Sequence, residues 1–374
     1  MKRYLGTVAA LLLISWGTSV TARAAEEVRS IEIGDPAPGF NLPGVDGRNH
    51  RLSDFDGAAV LVVVFTCNHC PTAQAYEQRI QALADDYRGK GVALVAISPN
   101  DPRAVRLDEL GYTDLSDSLE EMQIRARDRK FTFPYLYDGD EQKVSRAYGP
   151  TATPHLFIFD KERKLRYAGR VDDAEKPERV RTSDARNAIE ALLAGQSVPV
   201  EKTKTFGCSI KWSDKRASVR SAFDHWANEP VSLEPIDEKG IQALIRNDSK
   251  KLRLINVWAT WCGPCVTEFP ELITMNRMYR GRDFELVTIS ADLPEKRDDA
   301  LAFLRKQQAS TRNFVFSNED KYRLVEALDK EWPGALPYTI LVEPGGKVLS
   351  RVMGELQPLE MKKAIVGWLG RYYP

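Results

Sequence analysis

Two close cysteine pairs, Cys67-Asn68-His69-Cys70 and Cys262-Gly263-Pro264-Cys265, are the residues of this chain best suited to chemistry. Cysteines at this spacing can close a small disulfide ring and open it again. The thiolate is the attacking species in thiol–disulfide exchange, and the free N–H groups of a helix N-terminus favour it. Each pair follows a buried apolar run and precedes an amphipathic stretch, so each reads as strand, cysteine pair, helix. On this reading Cys67 and Cys262 are nucleophiles, and Cys70 and Cys265 resolve the mixed disulfide. Both pairs are expected to form reversible internal disulfides, Cys67–Cys70 and Cys262–Cys265. Five cysteines in 374 residues are too few for a disulfide-stapled fold, and four of them lie in these pairs. The fifth, Cys208, has two open readings: a buried small hydrophobe, or a third redox thiol.

The elements that must hold these pairs occur twice. Ala58 to Phe65 is an unbroken apolar, β-branched run and reads as a buried strand. Ala73, Tyr76, Ile80, Leu83 and Tyr87 then recur at spacings of three and four, giving one helical face within 72–88. A strand over 92–97, a charged and partly helical stretch over 101–130, a hairpin over 156–171 and a helix over 182–194 follow. A less regular stretch reaches from Gly195 to about Pro235. The order then starts again, with a helix over 236–247, a strand over 252–258, a helix over 266–279 and a strand over 284–290. A helix over 300–307, a hairpin of 338–342 and 348–353 turning at Pro344-Gly345-Gly346, and a closing helix over 359–369 complete it. Strands alternating with helices and ending in a hairpin imply an α/β fold, a mixed sheet covered on both faces, made twice. The expected division is 31–212, a linker over 213–235, and 236–374.

Lys2 and Arg3, the apolar run from Tyr4 to Trp16, and the small residues of Ala22-Arg23-Ala24 read as a signal peptide over 1–24, cut after Ala24. A membrane anchor is the other reading, but the run is too short to span a bilayer, and no cysteine follows it to carry a lipid. Export to the periplasm or an equivalent compartment is the expectation. Lys+Arg and Asp+Glu number 53 each, so a zero net charge gives no electrostatic case for nucleic acid or an anionic membrane.

The second half resembles the TlpA/ResA branch of bacterial extracytoplasmic thiol–disulfide oxidoreductases. The string from Asn256 to Trp261-Cys262-Gly263-Pro264-Cys265, followed by Glu268 and Pro270, carries the likeness; several of that branch are reductants in cytochrome c maturation. In thioredoxin proper a buried Asp lies six residues before the first cysteine; here Asn256 stands there. The resemblance therefore implies Glu268 as the proton-handling carboxylate, against a plain reading as a solvated first-turn residue. It also implies that Pro337 is cis and faces the disulfide, leaving the preceding backbone free to pair with a substrate strand. The plain reading there is a trans proline at a strand start.

The first half resembles a peroxiredoxin-like, AhpC/TSA-related redoxin family. The likeness rests on CNHCP at Cys67–Pro71, Phe133-Pro134-Tyr135-Leu136-Tyr137-Asp138, Thr153-Pro154-His155-Leu156-Phe157, Gly169-Arg170-Val171-Asp172-Asp173, and Phe206-Gly207-Cys208-Ser209-Ile210-Lys211-Trp212. It implies Pro154 as the matching cis proline and places Cys208 in this domain's tail. Peroxidatic cysteines normally have Thr three residues earlier; here it is Val64.

His69 takes the place of Pro264. A charged imidazole beside the thiolate stabilises the dithiol form, so the first site is expected to be the more oxidising. Superfamily potentials span about −270 to −120 mV, roughly 7 kcal/mol for two electrons. Cys67, His69 and Cys70 can also serve as soft ligands for copper. Helix-start geometry suits a dithiol better and no second spaced ligand pair follows, so neither metal nor dissociable cofactor is expected. His50, His155 and His225 read as structural or surface residues. The leading function is thiol–disulfide exchange with protein substrates, with a membrane reductase or an oxidant as electron partner. The rivals are a thiol peroxidase and a copper or haem-protein chaperone.

Overall fold

A computed structural model describes residues 28–373. The expected signal peptide lies outside the described residues. The chain first forms β1 (Asn41–Pro43), β2 (Asn49–Arg51), β3 (Val60–Phe65), α1 (Pro71–Asp86), β4 (Val92–Ser98), α2 (Leu119–Arg129), β5 (Tyr135–Tyr137), α3 (Lys143–Tyr148), β6 (His155–Phe159), β7 (Leu165–Gly169) and α4 (Asp184–Leu193). Then come α5 (Arg216–Ala227), β8 (Glu234–Ile236), α6 (Glu238–Arg246), β9 (Leu252–Trp258), α7 (Gly263–Tyr279), β10 (Phe284–Ser290) and α8 (Arg297–Lys306). The last elements are β11 (Arg312–Phe316), α9 (Lys321–Leu328), β12 (Tyr338–Val342), β13 (Val348–Met353) and α10 (Pro358–Leu369).

Two mixed sheets result, ordered β5-β4-β3-β6-β7 and β13-β12-β9-β10-β11-β8. In each, the strand leading into the cysteine pair is central, parallel to its successor and antiparallel to the hairpin. These central strands read as unbroken apolar runs because both of their faces are covered. On β3, Val60, Val62 and Val64 pack with Tyr76 and Ile80 of α1, while Leu61, Val63 and Phe65 pack with Tyr148 and Phe157 on the other side. The second sheet is covered in the same way. Both halves are therefore thioredoxin-like.

The segment over 213–235, expected as a linker, holds α5. Trp226 is buried, packs edge-on against Phe223 with ring centroids 5.2 Å apart, and lies beneath the Arg277 guanidinium, also at 5.2 Å. Val105 and Leu110 of the first half join the apolar core of the second, so the two halves share an apolar seam. No helix among the described residues is long and apolar enough to cross a membrane.

Candidate functional site

In the second half, β9 delivers the chain to a short loop that Asp292 pins by accepting from Thr260 N at 3.0 Å and Thr260 Oγ1 at 2.7 Å. Helix α7 starts at Gly263 with Pro264 in its first turn, where a missing N–H costs nothing. Cys262 is the N-cap: its sulfur accepts from Cys265 N at 3.3 Å, and the two cysteines form a disulfide. Trp261 beside them is 71% exposed. The Leu336–Pro337 peptide is cis, and the following Tyr338 pairs with Val257 of β9.

Glu268 is not a solvated first-turn residue. It is buried; Oε1 accepts from Asn256 Nδ2 at 2.9 Å and Oε2 from Leu356 N at 2.8 Å. Asn256, which stands where thioredoxin has its carboxylate, thus hands its hydrogen bond to one. Burial raises Glu268 above the ordinary carboxyl range, more than these hydrogen bonds lower it. Glu268 sits one turn after Cys265, on the same helix face. Glu268→Gln is therefore expected to cut exchange at pH 7 about a hundredfold, the usual size of a general acid–base contribution. The measurement is a pH–rate profile, in which the carboxyl arm seen in the wild type should be missing from the variant.

The first site departs from its counterpart. Pro71 starts α1, so the helix begins after the motif and its N-cap is Cys70, whose sulfur accepts from Ala73 N at 3.4 Å. Cys67 lies outside the helix. The expected Cys67–Cys70 disulfide is absent: Cys70 is bonded to Cys208, and Cys67 is free and buried. The reason is proximity that spacing cannot show. Phe206–Ile210 returns to the site from 138 residues away and bridges Thr153. The tail around Cys208 is held on both sides, not loose, by Thr203 N to Ala168 O at 3.1 Å and Lys211 N to Asn100 Oδ1 at 2.8 Å. Thr153–Pro154 is cis; Thr153 Oγ1 is 3.3 Å from Cys67 Sγ, and its carbonyl is 3.5 Å from Cys70 Sγ.

His69, next to the cap of α1, is fully enclosed. Its Nδ1 lies 2.5 Å from Asp117 Oδ2, and the ring also pairs with Cys67. Burial disfavours the charged ring, but Asp117 and Cys67 outweigh it and push His69 up to about 10. Burial alone would lift Asp117; His69 instead holds it below the ordinary 3.8. Asp117 Oδ1 accepts from Asn68 N at 2.8 Å and His69 N at 3.1 Å, and Oδ2 accepts from Asn100 Nδ2 at 2.8 Å. Ligand atoms of Cys67, His69 and Asp117 fall within 4.8 Å of one another, the spacing a metal ion would need. The carboxylate is already saturated by these hydrogen bonds, which suits a charged Cys–His–Asp chain with a standing imidazolium better than a coordination shell. Asp117, Asn100 and Thr153 were missed from sequence; nothing distinguishes Asp117 from the other acids of its charged stretch. Of the other histidines, His155 is buried and pushed down to about 4 by that burial, His50 lies 3.1 Å from Asp46, and His225 is exposed.

The two sites do not face each other. Cys262 caps one end of α7, whereas Tyr279 at the other end donates to the Thr113 carbonyl at 2.8 Å, beside the first site. A 17-residue helix is about 25 Å long, so direct exchange between the pairs is not available in this arrangement. Arg282 and Arg371 clamp the same loop, Arg282 through Gly111 O at 2.9 Å and Arg371 through a two-pronged pair with Asp114 at 2.6 and 2.9 Å.

Known proteins resemble this chain in the same terms. The thiol-disulfide oxidoreductase ResA of Geobacillus thermodenitrificans is 27% identical over 158 residues, 42% of this chain and 79% of that protein. The thiol:disulfide interchange protein HelX of Rhodobacter capsulatus is 30% identical over 172 residues, 46% of this chain and 73% of that protein. A conserved protein of Geobacillus kaustophilus, solved by crystallography, is 38% identical and covers 49% of this chain and 93% of its own, with a TM-score of 0.44. The model of the AhpC/TSA family matches residues 33–168 and again 235–351, one match on each sheet and its cysteine pair. With more than half of its length so matched, this tandem of thioredoxin-like domains belongs to the AhpC/TSA family.

Proposed function

We propose that the chain is an exported thiol–disulfide oxidoreductase that exchanges disulfides with protein substrates at two separate cysteine sites. The names of its ResA and HelX relatives support oxidoreductase chemistry on thiols. The observation that carries the reading is the Cys262–Cys265 disulfide at the start of α7, with Cys262 as the capping sulfur. A sulfur in that position gains from the helix dipole when it becomes a thiolate. Exposed Trp261, together with Met353 at the same end of the sheet, offers an apolar platform for a client chain. The test is reduction of insulin by the full chain with a small thiol as electron source. The share of catalysis that belongs to the second site should be lost with Cys262. Equal rates from the wild type and from a variant lacking both Cys262 and Cys265 would overturn the reading.

Export rests on the composition of residues 1–24 and is tested by the mass of the protein recovered outside the cytoplasm, which should begin at Ala25. The electron source in the cell would then be a membrane-bound reductase.

A thiol peroxidase is a second reading of the first domain. A cavity of about 10 Å³ adjoins Cys67, lined by Thr66, Glu77, Ile80, Phe131 and others. That is room for about one water-sized molecule. Thiol-dependent peroxide consumption that is lost in Cys67→Ser would favour it; none in the wild type would remove it.

A further inference from the structure

The segment carrying Cys208 is seated against the first site as a strand partner. Thr153 N–H donates to the Cys208 carbonyl at 3.0 Å, and the two residues form an antiparallel bridge. The same Thr153 touches both sulfurs of the pair, Cys67 through its hydroxyl and Cys70 through its carbonyl. Backbone pairing beside a reactive sulfur is how an extended peptide is gripped without regard to its sequence. Here the chain supplies the peptide itself. Gly207 permits the close approach: its φ is +143°, and a Cβ there would fall 2.1 Å from the Thr153 carbonyl oxygen. Cys208 is only half-buried, and its disulfide with Cys70 leaves Cys67 reduced next to a bond it could attack.

We propose that segment 206–210 is a built-in client of the first site, and that Cys208 is a third redox thiol whose disulfide passes internally to Cys67. The proposal rests on reading the first domain as a thiol-exchange site. In the step, the Cys67 thiolate attacks Cys70 Sγ. The Cys67–Cys70 bond forms, the Cys70–Cys208 bond breaks, and Cys208 leaves as a thiolate. One disulfide and one thiolate stand on each side, so no oxidant or reductant is consumed. With Cys208 bonded, the groove along Thr153 is filled and closed to outside chains. After exchange, the Cys67–Cys70 disulfide faces a groove from which the tail can withdraw. Asn100 links the two halves of the device, since its amide holds Lys211 N on the tail and Asp117 beside His69.

The test uses the full chain, equilibrated with reduced and oxidised glutathione at several ratios, acid-quenched, alkylated and peptide-mapped. The wild type should contain both the Cys70–Cys208 and the Cys67–Cys70 forms. Their ratio should not change with the glutathione ratio, because their interconversion is electron-neutral. Cys67→Ser should hold only Cys70–Cys208, and Cys208→Ser only Cys67–Cys70. Gly207→Val, which leaves all three thiols in place, should favour Cys67–Cys70 and make Cys208 alkylate at least tenfold faster than in the wild type. A wild type holding only Cys67–Cys70, or only an inert Cys70–Cys208, would overturn the proposal. Insulin reduction through Cys262 is measured on the same samples. If it is intact while the mapping fails, this inference falls and the oxidoreductase reading stands.

Discussion

Cys262→Ser is expected to drop insulin reduction by the second site to background, on the order of a thousandfold or more, whereas Cys265→Ser should stall with the client attached. The asymmetry follows from where α7 begins. Cys262 caps the helix, so its sulfur sits against free N–H groups and can attack a client disulfide. Cys265 is wholly buried within the first turn and reaches only the sulfur of Cys262, which it attacks once a client is bound there, so that the Cys262–Cys265 bond forms and the client leaves as a thiolate. Removing the attacker leaves no reaction; removing the resolver leaves a mixed disulfide with no intramolecular exit. Non-reducing gels followed by mass spectrometry separate these results. Equal trapping by both variants would show that the assignment of roles is wrong.

Asp117→Ala is expected to be the most destabilising single change at the first site, lowering the unfolding free energy by about 3–5 kcal/mol, the usual cost of breaking a buried pair. The substitution strands the charged His69 ring and leaves Asn68 N–H, His69 N–H and the Asn100 amide without their acceptor. The sign of the pH dependence follows from the two shifts. His69 is raised from 6.5 to about 10, so its contribution is whole below about pH 6.5 and is lost as pH climbs through about 10. Asp117 is lowered from 3.8, so its contribution is present above that value and is lost as pH falls through its folded-state pKa. The gap between wild type and variant should be widest near pH 5–6 and should narrow by pH 10. Denaturant unfolding at pH 5.5, 7.5 and 10 measures it. A gap that grows with pH would contradict the charged pair. Loss of the imidazolium should also lower the potential of the first site, because that ring is the positive charge beside the sulfur where negative charge appears when a disulfide opens.

Both thioredoxin-like sheets were legible from local pattern. Apolar β-branched runs marked β3 and β9, and the three-to-four spacing of Tyr76, Ile80 and Leu83 marked α1. The short strands β8 and β11 were not, because three and five residues are too few to show a period, and α5 was passed over although Val219, Phe223 and Trp226 recur at helical spacing. Glu268 was visible as a residue, but its burial was not. That depends on Leu356, which reaches it from 88 positions away.

What the sequence determined by itself is everything set within a few residues: two cysteine pairs, each between a buried strand and a helix, with glycines and prolines punctuating the turns. Only the tertiary structure decided how the sulfurs pair. At the second site the nearest partner in sequence is also the nearest in space, because Gly263 and Pro264 let the helix start inside the motif and bring Cys265 onto the capping sulfur. At the first site Pro71 delays the helix, so Cys70 becomes the cap and Cys67 is left beside His69. Asp117 and Cys208 then arrive from 48 and 138 residues away, carried by loops whose closure no local periodicity records. One extra turn of helix, placed by a single proline, separates an ordinary dithiol from a three-sulfur site.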